Sequence, residues 1–210
     1  MTTPQIVWSG RILGVQPRID LTRSFDQRSH SYLGYLLAID GIADGIPRPF
    51  TVRIGPGAQS KHEFRAGDVV SGKAHPVADR EREVADLYRA SGLKVQTRSD
   101  AIASAGPPWL TPPPPLPVFR ERGHRRLDVR TFDTKCNTCS WGCRMAVALI
   151  VDQWNPVVVK QRFETFCYGP KSCPWYRGGP TRKAPGRNGM SWEEEDWVDE
   201  EAVAHRGSDD

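Results

Sequence analysis

The stretch Phe64-Arg65-Ala66-Gly67-Asp68-Val69-Val70-Ser71-Gly72-Lys73-Ala74 reads as a tight turn opening into a strand. Ala66-Gly67-Asp68 supplies the turn, Val69 and Val70 supply β-branched side chains, and Pro76 ends the run, so a strand is expected from Asp68 to Val77. Strands of the same kind precede it. Phe50-Thr51-Val52-Arg53-Ile54 alternates, with Phe50, Val52 and Ile54 on one face and Thr51 and Arg53 on the other. Tyr32 to Ile42 is an apolar run closed by Asp40-Gly41 and the Gly45-Ile46-Pro47 turn; it carries Tyr32 and Tyr35 on opposite faces. Ile6 to Val15 contains Gly10 and Gly14, which suit a strand that bends. After the quoted stretch, Asp79 as N-cap, Val84, Leu87 and Tyr88 as an i, i+3, i+4 stripe, and Gly92 as a stop predict a helix, with a fifth strand at Leu93 to Thr97.

The chain has 210 residues, 38% of them hydrophobic, which allows one ordinary domain or two small ones. The longest apolar run, Met145 to Val151, falls far short of the roughly 20 residues a membrane span needs. The start Met1-Thr2-Thr3-Pro4 has no basic segment leading into an apolar one, so the expectation is a soluble, cytoplasmic protein. The net charge of +4 is a sum of unlike parts. Residues 193–210 hold nine acidic residues and one arginine, a balance of −8, which leaves 28 basic and 16 acidic residues, +12, in the rest. A basic body with an acidic end points to a polyanion partner and a device that regulates access to it; the plainer reading is a solvated surface with a solvating tail.

Between Pro107 and Pro117, seven of eleven residues are proline, which excludes helix and central strand and favours an extended, stiff segment, a spacer or wrap between two modules. The chain therefore divides into a strand-rich part over 5–98, a Pro-rich then Arg-rich linker over 99–129, a Cys-rich module over 130–190 and an acidic tail over 191–210.

All five cysteines, Cys136, Cys139, Cys143, Cys167 and Cys173, fall within 38 residues. Disulfides are disfavoured by the odd count and by the expected reducing compartment. Cys136-Asn137-Thr138-Cys139 is a C-x2-C knuckle, and a hairpin follows: Arg144 to Trp154 outward, Asn155-Pro156 turning, Val157 to Phe166 returning, with the start of the outward strand equally readable as helix. Cys167 and Cys173 close the site. Four thiolates from Cys136, Cys139, Cys167 and Cys173 suit zinc, with Cys143 as a buried small hydrophobe or an alternative ligand. The set Cys136, Cys139, Cys143 and Cys173, the last followed by Pro174, suits an iron–sulfur cluster instead. No phosphate-cradling glycine loop, His-Glu-x-x-His pair, serine elbow or deaminase pattern is present, and His124 lies in no nucleophile motif, so the protein is expected not to be an enzyme.

Arg120, Arg122, Arg125, Arg126 and Arg130 precede the cysteines, and Arg177, Arg182, Lys183 and Arg187 follow them. If the cysteines converge, both segments leave from one small module and concentrate positive charge for phosphate contacts, although arginines also serve simply as a solvated surface. Arg53, on the outer face of its strand, is a further candidate. The tail couples carboxylates with Trp192 and Trp197 and is a candidate for competing with nucleic acid or docking on a partner.

Taken together, the strand pattern over 5–98 and the string Phe64 to Ala74 resemble an OB-fold barrel, with the helix placed after the fourth strand rather than between the third and fourth, where only Ala58 to Phe64 is available. The cysteine spacing resembles a zinc ribbon. Cys136 to Arg144, Phe166-Cys167-Tyr168-Gly169-Pro170 and the acidic end are similar to uncharacterised bacterial proteins of this layout, which implies no activity. The expected class is thus mainly β: an OB-like five-stranded barrel, a small Cys-rich metal-binding hairpin and an acidic tail. Pairing of these two folds implies a nucleic-acid-binding accessory protein for single-stranded DNA or RNA with a structural zinc. The alternatives are a protein–protein adaptor using the proline segment, hairpin or tail, or an iron–sulfur protein.

Overall fold

In the computed structural model, which describes residues 4–24, 27–100, 106–152, 154–194 and 197–207, the first strand carries the plan of the molecule. β1 (Ile6–Arg23) alternates between core and solvent near its start, then is buried without a break from Gly14 to Arg18 and on to Ile19. Alternation means one covered face; continuous burial means that something packs on both. At Gly14 that partner is the cysteine segment, because a Cβ there would lie 2.1 Å from the carbonyl oxygen of Thr138.

β2 (Arg28–Ala43), β3 (Ile46–Ile54), helix α1 (Pro56–His62), β4 (Val69–Pro76) and β5 (Leu87–Thr97) follow. β1 pairs antiparallel with β2 and, through Ile6 to Arg11, with β4. β3 meets β5 in parallel at Val52 and Leu87, and β5 lies antiparallel to β4. Hydrogen bonding thus runs β1-β2-β3-β5-β4 and returns to β1, a ring through five strands. Its interior holds Trp8, Leu37, Ile39, Phe50, Val52, Val70 and Leu87, each 3% exposed or less.

The helix expected between Asp79 and Gly92 does not form. Residues 77–86 are irregular, and Leu87 and Tyr88 begin β5. The apolar stripe was real, but Leu87 is needed to close the ring against Val52, and tertiary pairing overrides a weak local helical preference. The ring's helix is α1, in the short stretch between β3 and β4. Gly55 stands at its N-cap, Pro56 fills the first turn where its missing N–H is no loss, and Glu63 ends it at a positive φ of 48°.

The proline segment wraps the ring rather than spacing it from the rest. Tyr35 Oη donates to the Pro114 carbonyl at 2.9 Å. Helix α2 (Leu116–Arg122) buries Phe119 completely, edge-on to Trp141 and Tyr168. Next come β6 (Arg125–Arg126), a helical turn α3 (Val129–Thr131) that continues as π-helix to Cys136, β7 (Gly142–Ile150) and β8 (Val159–Cys167). β7 and β8 form the expected hairpin, and Met145 to Ile150 is strand because β7 also pairs in parallel with β1, Asp20 to Arg23 against Ala146 to Leu149. One sheet of eight strands results, in the order β2-β3-β5-β4-β1-β7-β8-β6. The main core likewise unites Ile19 and Leu37 with Met145, Val147, Phe166 and Tyr168. No helix among the described residues is long and apolar enough to cross a membrane.

Toward its end β8 buries a charge: Glu164 is 4% exposed while its neighbour Phe163 is 39% exposed. The reason is a buried ion cluster. β9 (Arg182–Pro185) and β10 (Ser191–Glu194) form a second, two-stranded sheet, and α4 (Trp197–Ala202) follows. Arg23 on β1 reaches Glu194 at 2.8 Å and Glu164 at 3.5 Å; Arg182 bonds Glu164 at 2.8 Å and Arg28 bonds Glu194 at 2.7 Å. Carboxylates on the hairpin and on the tail are held by arginines from β1, β2 and β9.

His30 and His124 pack beside this cluster with their rings tilted, ring centres 4.9 Å apart. Burial first, then Arg28 and Arg23, push the His30 pKa down to about 4. Burial, then His30 and the surrounding arginines, push His124 the same way. With folded pKa values below the ordinary 6.5, the unfolded chain takes up protons first, so this stability is complete above about pH 6.5 and is lost as the pH falls toward 4. At about 1.4 kcal/mol per unit the His30 shift corresponds to roughly 3 kcal/mol at most, less what solvent screening of this partly exposed ring removes. Urea denaturation should show a decline between pH 6.5 and 4.5 that flattens in His30→Phe; an unchanged slope in that variant removes His30 from the account.

Candidate metal centre and basic surface

The chain leaves the π-helix at Cys136 and makes two consecutive turns: Cys139 N–H donates to the Cys136 carbonyl at 3.1 Å, and Gly142 N–H to the Cys139 carbonyl at 3.0 Å. Both carbonyls also accept from Gln16 Nε2 at 2.8 Å, which fastens the knuckle to β1. Ser140 N–H donates to Trp109 of the proline segment at 2.8 Å. On the opposing side, Cys167 ends β8 and its Sγ accepts from Gly169 N–H at 3.4 Å, while Cys173 sits in a turn whose N–H donates to Pro170 at 3.2 Å. Cys136, Cys139 and Cys167 are buried in a second, smaller core with Leu127 and Phe132, lidded by Trp109, Trp141 and Tyr176.

The thiols are electrostatic neighbours. Burial, and then the presence of Cys139, Cys167 and Cys173, push the Cys136 pKa up to about 12. Burial raises Cys139 to about 11 against backbone hydrogen bonds from Trp141, Trp109 and Gly142 that favour its thiolate. Burial also raises Cys167, opposed by the Gly169 amide and by Arg125. All five cysteines are free thiols. Among the described residues, no group of three or more His, Cys, Asp or Glu side chains stands in metal-holding geometry, so the four are neighbours rather than a preformed cage. Cys143 points elsewhere: it lies in the main core, fully buried, with Sγ 3.4 Å from the Pro17 carbonyl.

The basic residues singled out from the sequence divide into structural and surface groups. Arg126 is 3% exposed and holds Asp199 of α4 at 2.7 Å. Arg182 is tied to Glu164 and to the Thr165 carbonyl at 2.8 Å. Arg125 lies over the Tyr176 ring at 3.8 Å and donates to the Pro170 carbonyl. Arg122 covers Trp141 and donates to the Tyr168 carbonyl. Lys183 faces Glu193 and Arg187 faces Asp152, each at 3.7 Å, and Arg53 bonds Glu83 at 2.6 Å. Arg120 rests on the half-buried Tyr32, whereas Tyr35 packs inside the ring. Arg120, Arg130 and Arg177 are exposed, and the exposed Lys135, beside Cys136 and over Trp175, joins them. Sequence reading passed over Lys135 because it stands alone between the two Arg-rich segments; the Asp128 N–H to Arg177 carbonyl bond is what draws those segments together beside it.

The acidic end is folded back onto this basic body. Glu194 enters the ion cluster, Asp199 meets Arg126, and Arg206 donates to the carbonyls of Tyr168 and Gly169 at 3.2 and 3.1 Å. Glu195, Asp196, Asp209 and Asp210, also part of the acidic count, lie outside the described residues. Comparisons with protein-family models, with curated proteins and with solved structures find no match.

Proposed function

We propose that this chain is a non-catalytic nucleic-acid-binding protein in which the five-stranded ring acts as an OB-like barrel and Cys136, Cys139, Cys167 and Cys173 hold a structural zinc ion. The observation that carries the reading is the ring order β1-β2-β3-β5-β4 closing on β1 with its helix between β3 and β4, the arrangement associated with OB barrels. Such barrels bind single strands on the outer face of the second and third strands, bounded by the loops after the first and fourth. Here that face presents Leu36, Ala38, Thr51 and Arg53, with the 77–86 loop at its border. The donor set favours zinc over an iron–sulfur cluster, because the cluster expected to use Cys143 loses that ligand to the main core. Zinc would supply the charge that lets three buried thiols and the partly buried Cys173 ionise, and would crosslink a module whose own core is small.

Fluorescence anisotropy with a labelled generic single strand is the test. Engagement of about three phosphates gives a log affinity that falls with log salt at a slope near −2. Absence of binding at low salt overturns the reading. The adaptor alternative has one observation of its own: the β7–β8 tip exposes Trp154 (82%) and Val157 (85%) beside a pocket of about 420 Å³ that also takes in Met190 and Trp192.

A further inference from the structure

We propose that Arg18, Arg53 and Arg89 form a phosphate-binding subsite at the seam between β3 and β5, and that the carboxylate of Glu83 holds two of the three guanidiniums, Arg18 and Arg53, in the free protein. The inference deepens the nucleic-acid reading of the ring and rests on it for the source of the phosphate.

Three observations converge on the seam. β3 and β5 pair only at Val52 and Leu87, and beyond that point the strands part around a pocket of about 200 Å³, lined by Arg18, Arg53 and Arg89 with Leu33, Ala58 and Leu93. Second, Arg89 is placed there by a bulge. The β4–β5 register slips between the Lys73/Ser91 and His75/Tyr88 pairs, and Arg89 takes a φ of +52°, a conformation that side-chain-bearing residues adopt at a cost and that persists where a bulge re-aims a side chain. Third, Glu83 already imitates an oxyanion. Arg18 Nε and Nη2 donate to its two oxygens at 3.0 and 2.8 Å, and Arg53 Nη1 donates to one of them at 2.6 Å. This is the fork geometry with which arginine takes a carboxylate or a phosphate. Burial works against the Glu83 carboxylate, yet the hydrogen bonds from Arg18 and Arg53 hold its pKa below the usual range.

Glu83 belongs to the irregular 77–86 loop, whose own anchor is two and three residues further on, at the buried Ala85 and at Asp86, which bonds the Thr51 amide and hydroxyl. Rotation of the Glu83 side chain gives up the Ala85 amide bond at 3.2 Å together with both guanidiniums, and leaves the loop held through Asp86 and Thr51. Asp20, 3.8 Å from Arg18, is the other carboxylate in reach. With Glu83 in place Arg18 and Arg53 are neutralised while Arg89 lines the pocket beside them; with Glu83 displaced, Asp20 is left on Arg18 and the other two guanidiniums are open to the pocket. That balance suits the single negative charge of a phosphodiester, or free phosphate.

The test uses the full chain, wild type and Glu83→Gln, with Arg89→Ala introduced into each. Inorganic phosphate is compared with chloride at equal ionic strength in thermal melts, and a labelled single-stranded oligonucleotide is titrated in parallel. Expected are a phosphate-specific rise in melting temperature that is larger in Glu83→Gln than in wild type, a five- to tenfold gain in oligonucleotide affinity, and loss of both gains on adding Arg89→Ala. Equal oligonucleotide binding by wild type and Glu83→Gln, without a phosphate-specific shift, overturns the subsite and leaves the nucleic-acid reading intact. A phosphate-specific shift with no oligonucleotide binding by either protein keeps the subsite as a small-anion site and overturns the nucleic-acid source. Should Glu83→Gln not fold, Glu83→Asp, whose shorter reach cannot serve both arginines, gives the same comparison, and unaltered affinity in both Glu83→Asp and Arg89→Ala sinks the proposal.

Discussion

Protein prepared without chelators is expected to contain one equivalent of zinc, and stripping it at neutral pH is expected to loosen the cysteine-bearing turns over 127–142 and 167–176 before the ring and the hairpin that shares its core. The physical reason is the size of the smaller core. It consists of Leu127, Phe132 and three of the cysteines, with Trp109, Trp141 and Tyr176 packed around them. That is too little apolar area to hold four cysteine-bearing turns by itself. In small modules structural zinc contributes on the order of 10–16 kcal/mol of apparent binding free energy at pH 7. The pKa directions give the expectation a second readout. With the Cys136 and Cys139 thiols raised to about 12 and about 11, binding must displace their protons, so affinity rises steeply with pH and loading acidifies a weakly buffered solution. Metal analysis with thiol titration checks it: Cys173→Ser should lose the metal, whereas Cys143→Ala should keep it and cost about 1–2 kcal/mol for the cavity. Retention of stoichiometric zinc by Cys173→Ser, or absorbance near about 400 nm in anaerobically prepared protein, would move the assignment away from this zinc site.

Replacing Glu164 by alanine should cost about 3–5 kcal/mol, among the largest effects of any single side chain outside the cysteines. Arg23 is 1% exposed, and among the described residues its carboxylate partners are Glu164 and Glu194. Two of its nitrogens, Nε and Nη1, are already buried without a protein partner. Among those residues, losing Glu164 leaves Arg23 a single counter-charge and leaves Arg182 the Thr165 carbonyl and the face of Phe166, with no carboxylate in its hydrogen bonds. For a chain of this length each kcal/mol moves the melting temperature by about 2–4 °C, so a fall near 10 °C is expected. Lys183→Ala, which removes only the exposed 3.7 Å pair with Glu193, is the control and should stay within about 0.5 kcal/mol. A Glu164→Ala protein that melts within about 1 kcal/mol of wild type would show that water satisfies the cluster. The same geometry bears on the acidic tail. Because Glu194 is one of the two carboxylates on Arg23, removing residues 191–210 withdraws a core counter-charge as well as a surface segment.

Much of the ring was legible in the residues. The alternation of Phe50, Val52 and Ile54, the turn before Val69 and the glycines of β1 are local signals that tertiary packing reinforced. The expected strand at Leu93 to Thr97 forms as the end of β5, but residues 79–92 depart from the expected helix, because Val84, Leu87 and Tyr88 satisfy a helical spacing as well as they satisfy a loop running into a strand. The arginines were legible as charge but not as contacts. Arg126 and Arg53 look alike in sequence, yet one is buried against Asp199 and the other lies on the ring beside Glu83.

By itself the sequence determined a mainly β chain, a clustered set of thiols joined by a hairpin, and a basic body with an acidic end, since composition, period two and ligand spacing are properties of neighbouring residues. Tertiary structure alone decided which four thiols are neighbours, that Cys143 joins the main core, that the hairpin extends the ring's sheet through β1, and that the acidic end neutralises arginines from β1, β2 and β6. Those outcomes depend on pairing across more than a hundred residues, as between Arg23 and Glu164 or Gln16 and Cys136. Burial converts such a distant pair from a solvated charge or amide into a structural constraint, and burial is not a local property.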